Sequence, residues 1–149
     1  MSNIVPTISS ATAGPLGVQH LPRLWQKASL AAVGKLHPEY PAAGAGYDQM
    51  TLDALKIDRQ AFLEFISNHK PSYVQLEEWV KTNGTLDADA IAAHNAGVDG
   101  YIHNDATRAS ILAEVGRADD GTIKDAVNLN NLDDWALFHQ GEIKVSGGG

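Results

Sequence analysis

The chain has 149 residues, of which 44% are hydrophobic and 19% charged, and its formal charge is −7. The apolar fraction excludes a disordered chain, and the negative charge argues against a nucleic-acid partner, because binding to a phosphate backbone needs a basic surface. Since there is no cysteine, disulfides and thiolate metal ligands are excluded. No window has the length of a membrane span or the pattern of a secretory signal, so we predict a cytoplasmic protein without a membrane partner.

The pattern of apolar residues and helix breakers predicts a mainly α protein, with six or seven short helices around one core. We expect this core to form a single helical domain over residues 19–145. Residues 1–18 are rich in Ser, Thr, Ala and Gly. They are interpreted as a flexible arm or as a segment laid over the core, and residues 146–149 as a disordered tail.

The strongest helix signal begins near Leu21, where Pro22 suits a first helical turn. Apolar residues then recur at three- and four-residue steps, which predicts a buried face. These residues are Leu21, Leu24, Trp25, Ala28, Ala32 and Leu36. His20, Arg23 and Lys27 lie on a neighbouring strip. This strip is either a solvated basic face or an anion pocket in which Arg23 and Lys27 bind a ligand.

The next segment, HPEYPAAGAGYD, contains two prolines and two glycines and is predicted to be a loop. Loops held by a rigid scaffold often carry function. We therefore predict ligand binding by His37 and Tyr47, and catalytic roles for Tyr40 and Asp48. The alternatives are structural: tyrosines in loops also pack as lids, and Asp48 is also suited to cap the helix that follows.

Several short elements in this first part of the chain occur in a recognisable order. They are LPRLWQKA (residues 21–28), Gly34-Lys35 with Tyr40, the segment 48–58 ending in LKID, and Glu78-Trp79-Val80. Together they resemble the uncharacterised bacterial family DUF5069 over about residues 20–85. The chain departs from that pattern at His37, Pro38, Tyr47 and Lys56, which implies a changed ligand or chemistry in the loop. The resemblance implies a shared fold and names no activity.

Caps and apolar spacing predict the remaining helices. The signals are the N-cap Asp58, the Ser72/Gln75 capping box, the end at Gly84, a start at Asp87, a helix over 105–115, and a last helix capped by Asn130 or Asn131. The segment between the last two is predicted to be a loop, with Asp120-Gly121 as a turn.

A second candidate site lies in the helix that starts at Asp87. Asn95, Asp99 and His103 are spaced four apart and so share one helical strip, on which Asp99 would orient His103 as a general base. His94 adds a second imidazole beside the strip, and Asn95 a ligand-binding amide. The alternative is a hydrogen-bonded core His94 with an exposed Asp99/His103 pair. No metal site is predicted, because the two histidines lack the spacing of helical metal ligands.

We therefore predict that the chain binds an organic, anionic small molecule between the first helix, the loop of residues 40–48 and the helix of residues 95–103. The chemistry would be that of a lyase, isomerase or hydrolase without a cofactor, using His, Asp and Tyr side chains for proton transfer. The alternative is a non-catalytic interaction or homo-oligomerisation module that is anchored by tryptophans and tyrosines.

Overall fold

The computed structural model describes residues 3–144, which form seven α-helices and a terminal π-helix. They are α1 (Leu21–Ala32), α2 (Tyr47–Ala54), α3 (Arg59–His69), α4 (Tyr73–Asn83), α5 (Ala88–Gly100), α6 (Asp105–Val115), α7 (Ala126–Phe138) and the π-helix (His139–Lys144). Within these residues there is no β-strand, only three isolated bridges. The prediction of a mainly α fold is confirmed.

The chain groups into two compact units, Met1–Val98 and Asp99–Gly149, called here the first and second units. In the first unit α1 packs against α2, α3 and α4, whereas in the second α6 packs against α7 and α7 against the π-helix. The expectation of one helical domain over residues 19–145 stays a prediction.

The core of the first unit is built around α1. Leu21, Leu24 and Ala28 of the predicted apolar face are buried, and they meet a cluster to which α3 contributes Phe62 and Ile66. Because α1 touches each of the next three helices, residues on its flanks are enclosed by protein. This enclosure buries the strip of His20, Arg23 and Lys27.

Local signals placed most helix ends correctly. Asp58 caps α3 by accepting from the Ala61 amide at 2.9 Å, and Ser72 with Gln75 forms the predicted capping box of α4. Side-chain caps satisfy amides that have no partner inside the helix, and this is why their sequence signatures are informative.

The last helix is a correction. It begins at Ala126, and its N-cap is Asp125, which accepts from the Asn128 amide at 2.9 Å. Asn130 and Asn131, which were predicted as caps, therefore lie inside α7. Aspartate and asparagine are equally favourable N-cap residues, and in this helix Asp125 occupies the cap position.

The segment before α1 is packed, as in the second of its two interpretations. Val5 and Val18 are buried, and Ile4 pairs with the residues after α1 through Ile4 N to Lys35 O (2.8 Å) and His37 N to Ile4 O (3.0 Å). These contacts favour the interpretation of residues 3–18 as a segment laid over the core. Residues 1–2 and the predicted tail at 146–149 lie outside the described residues.

A close contact between this segment and α4 yields a stability prediction. A Cβ atom on Gly14 would lie 2.5 Å from the Tyr73 hydroxyl and 2.7 Å from Glu77 Oε2. Glu77 also accepts from Tyr73 Oη (2.7 Å) and from the Leu16 amide (3.2 Å), so neither side chain moves without losing a hydrogen bond. We expect Gly14→Ala to lower the free energy of unfolding by about 1–3 kcal/mol, measured by urea denaturation.

Gly97→Ala is the matched control. It lies inside α5, where an added Cβ would meet only Met50 at an ordinary 3.5 Å. The higher helix propensity of alanine should raise stability by up to about 1 kcal/mol. Equal effects of the two substitutions would contradict the proposed packing of Gly14.

Candidate functional site

His20 stands immediately before α1 in an unusual backbone conformation. Its φ is 74°, in the left-handed region that residues other than glycine rarely adopt. This conformation costs on the order of 1–3 kcal/mol, and it persists only where the surrounding structure enforces it. Here the His20 amide donates to Thr12 O at 3.0 Å, and His20 O accepts from the Leu24 amide at 2.9 Å.

Two residues of α5 fix the backbone that leads into His20. Asn95 accepts from the Gln19 amide (2.9 Å) and donates to Gly17 O (2.8 Å), while His94 Nε2 lies 2.9 Å from Gln19 O. Thr51 Oγ1 lies 3.3 Å from the same His94 nitrogen. Because Gln19 O is an acceptor, Nε2 of His94 carries the proton. His94 is thus a buried, hydrogen-bonded histidine that braces the site.

Asp48 is the acceptor on which the site converges. Its carboxylate is buried and lies 2.5 Å from His20 Nε2, 2.6 Å from Lys27 Nζ and 2.6 Å from the Gly44 amide. The side chain of Asp48 makes no cap to α2, whose N-cap is Gly46. The alternative interpretation of Asp48 as a helix cap is therefore wrong.

The protonation states follow from these contacts. Burial alone would raise the pKa of Asp48, but the His20 hydrogen bond and the Lys27 ammonium outweigh it and hold that pKa well below its usual range. Burial is also the largest effect on His20, and it lowers the pKa of the imidazole. The hydrogen bond and the charge of Asp48 raise that pKa, the charges of Lys27 and Arg23 lower it, and the net shift is downward. His20 is therefore neutral, and it donates its Nε2 proton to an ionised Asp48.

This arrangement leaves the other imidazole nitrogen available. Nδ1 of His20 is buried and has no hydrogen-bond partner within the described residues. Since Nε2 carries the proton, Nδ1 carries the lone pair. The ring of Tyr47 lies against that of His20, with centroids 5.3 Å apart, and the Tyr47 hydroxyl donates to Val98 O at 2.7 Å. An imidazole held by a carboxylate at one nitrogen has the form of a general base.

Arg23 and Lys27 are buried, at 5% and 6% exposure, so the interpretation of their strip as a solvated basic face is wrong. Arg23 donates to Ile8 O at 2.9 Å, and its guanidinium lies 5.8 Å from the centre of the Tyr40 ring. The His37 ring meets Tyr40 edge to face at 5.8 Å. Two of the predicted loop residues are thus carried toward α1.

The helical strip predicted to carry Asn95, Asp99 and His103 does not extend to His103, because α5 ends at Gly100. The amide of His103 donates to Lys124 O at 3.1 Å, and the Nε2 atom of His103 lies 3.2 Å from Asn130 Oδ1. His103 thus helps to hold the start of the second unit. The prediction that it shares a helix with Asp99 is wrong, and the catalytic roles of Asp99 and His103 stay predictions.

The sequence analysis did not single out Arg59, and it did not predict that His20 lies at the centre of the site. Arg59 donates to Ala43 O, to Gly44 O (3.1 Å) and to Gln49 Oε1 (3.0 Å), which fixes the loop that supplies the Gly44 amide. No local signal marks such contacts. His20 was visible only as a titratable residue next to a helix start, which is a frequent occurrence.

Comparison with known proteins gives no match to a family model or to a curated protein, so the resemblance to DUF5069 stays a prediction. Among residues 3–144, no helix combines the length and hydrophobicity that crossing a bilayer requires.

The three-way contact at Asp48 can be tested by a double-mutant cycle. Asp48→Asn leaves the Lys27 ammonium buried without a counter-charge, which should cost about 3–5 kcal/mol of stability, and Lys27→Met removes the opposite member. We expect the double variant to lose less than the two single losses together, with a coupling of about 0.5–3 kcal/mol in urea unfolding. The exposed pair Lys81 and Glu78, 3.1 Å apart, is the control, and its coupling should stay below about 0.5 kcal/mol. Additive losses at Asp48 and Lys27 would contradict the ion pair.

The lowered pKa of His20 predicts a pH dependence of stability. In the unfolded chain the ring takes up a proton as the pH falls below 6.5, whereas in the folded protein it resists protonation. Its contribution is therefore fully present above pH 6.5 and is lost as the pH falls toward the folded pKa, by at most about 1.4 kcal/mol per pH unit. Urea unfolding between pH 7.5 and 5.5 should show this slope, and His20→Gln should remove most of it. If the exposed-residue variant His69→Gln removes as much, the assignment to His20 is wrong.

Proposed function

We propose that the first unit carries an acid–base site for a small organic anion, with His20 as the general base. The observation that carries the proposal is the pairing of His20 Nε2 with Asp48 at 2.5 Å, while the buried Nδ1 has no partner in the described part of the chain. The reaction class would be that of a lyase, isomerase or hydrolase that needs no cofactor.

Each group near the ring has a separate part in this proposal. Asp48 fixes the tautomer and stabilises the imidazolium that forms when Nδ1 takes a proton from the ligand. Lys27 and the Gly44 amide keep Asp48 ionised. Tyr47, whose ring is only partly buried, lies against the imidazole and would face a bound ligand.

The charge of the ligand is inferred from the potential at the ring. Lys27 and Arg23 lower the pKa of His20 and the Asp48 carboxylate raises it, so the ring is flanked by two cations and one carboxylate, a net charge of +1. An anion would be attracted to this position. Its negative charge would also raise the pKa of His20, so the base becomes stronger when the ligand is bound.

The competing interaction-module hypothesis has less support at Trp25 and Trp79. Trp25 Nε1 donates to Pro71 O at 2.9 Å, and Trp79 stacks on Phe65 with centroids 4.8 Å apart. Both rings thus take part in contacts within the first unit. Homo-oligomerisation stays a prediction.

The proposal is tested by the titration of His20 in ¹⁵N-histidine-labelled protein, with acetate and phosphate as probes. We expect one or both anions to shift the His20 nitrogen signals saturably and to raise the pKa of His20. The exposed His69 should respond far less. Arg23→Gln should weaken the effect more than Lys35→Gln, which removes an exposed cation after the same helix.

The wild-type experiment decides the proposal even if Arg23→Gln unfolds. If the pKa of His20 is independent of acetate and phosphate up to concentrations that saturate surface binding, no anion reaches the ring. The cluster would then serve stability alone.

A further inference from the structure

The negative charge of this protein is concentrated in its last third. Residues 99–149 contain nine acidic and four basic side chains, a net charge of −5, whereas residues 1–98 contain nine and seven, a net charge of −2. The smaller unit therefore has the larger net charge. Such a field attracts cationic partners and speeds their association.

The same unit also exposes most of the large hydrophobic side chains. Five of the eight in the described part of the chain belong to it: Tyr101, Ile102, Trp135, Phe138 and Ile143. Trp135 is 63% exposed and Phe138 47%. Exposed apolar residues that lie together mark a contact surface more reliably than isolated ones. Tryptophan is also among the strongest interface anchors.

A groove between α6 and α7 gives this surface its shape. Its volume is about 450 Å³, and Val115, Leu132, Trp135 and Ala136 supply its apolar lining. Glu114, Arg117, His139 and Gln140 supply the polar part of its wall. The π-helix that follows α7 carries Glu142 and the exposed Ile143.

We propose that this α6–α7 face binds a basic amphipathic helix of another protein. Such a helix places apolar side chains at spacings of three and four residues, which suits a groove between two helices, and large apolar anchors then fill the pocket. Lysine and arginine on its flanks would meet Glu114, Glu142 and the excess of acidic residues in this unit. Charge decides against a second copy of this chain, because two units of net charge −5 repel each other.

The experiment uses the full-length protein and a synthetic peptide of leucine and lysine in which leucine has helical spacing. Isothermal titration calorimetry measures its dissociation constant. A peptide of the same composition with strictly alternating leucine and lysine, and a helical leucine–glutamate peptide, test the pattern and the charge. We expect the helical basic peptide to bind at least about tenfold more tightly than either.

The paired variants locate the contact. Trp135→Gln with Phe138→Gln should weaken binding about tenfold or more, as expected for anchors. Val74→Gln with Leu86→Gln is the matched control, since these side chains are exposed hydrophobics of the first unit. Glu114→Gln with Glu142→Gln should weaken binding and reduce its dependence on salt. Circular dichroism of each variant verifies that the fold is retained.

Three results would overturn the proposal. The first is no binding of the helical basic peptide, or equal binding of the control peptides. The second is an equal loss in the Val74/Leu86 pair. The third is concentration-dependent self-association that disappears in the Trp135/Phe138 pair, which would assign the face to a second copy.

Discussion

The burial of the Asp48 carboxylate is the constraint on which the first unit depends. A carboxylate removed from water is costly unless donors surround it. Its donors come from three places: His20 just before α1, Lys27 within α1, and the Gly44 amide in the loop. Satisfying all three fixes the rotation of α1 about its axis, its distance from α2 and the path of the loop. The hydrogen bonds to Asp48 thus fix the relative positions of segments that non-directional hydrophobic burial alone would not specify.

The strained backbone of His20 is part of the same arrangement. Glycine would adopt a φ of 74° with far less strain than histidine. The backbone strain at His20 must therefore be compensated by contacts with its surroundings. The compensation is visible on both sides of the residue: Asn95 and His94 hold Gln19, and Asp48 holds the ring. His94 and Asn95 therefore act through the backbone of His20, which explains why residues of a distant helix belong to one site.

The elements that the sequence predicted well are those that depend on nearby residues. Caps such as Asp58 and the apolar face of α1 are local, and the structure confirms them. The pairing of the site is not local, because Lys27 meets Asp48 across 21 positions and Gln19 meets Asn95 across 76. Periodicity places Lys27 on a face of α1, but only the packing of the neighbouring helices decides that this face is buried.

Net charge illustrates the same difference between local and global information. The value of −7 bears on partners that approach the surface, where charges are screened within about 8–10 Å in physiological salt. It does not describe the potential at His20. There, Asp48, Lys27 and Arg23 act over short distances through a poorly screening interior, so a chain that is acidic overall surrounds its central imidazole with two cations and one carboxylate. The ligands proposed for the two units can therefore differ in charge, because each would respond to the charged groups within its own screening distance.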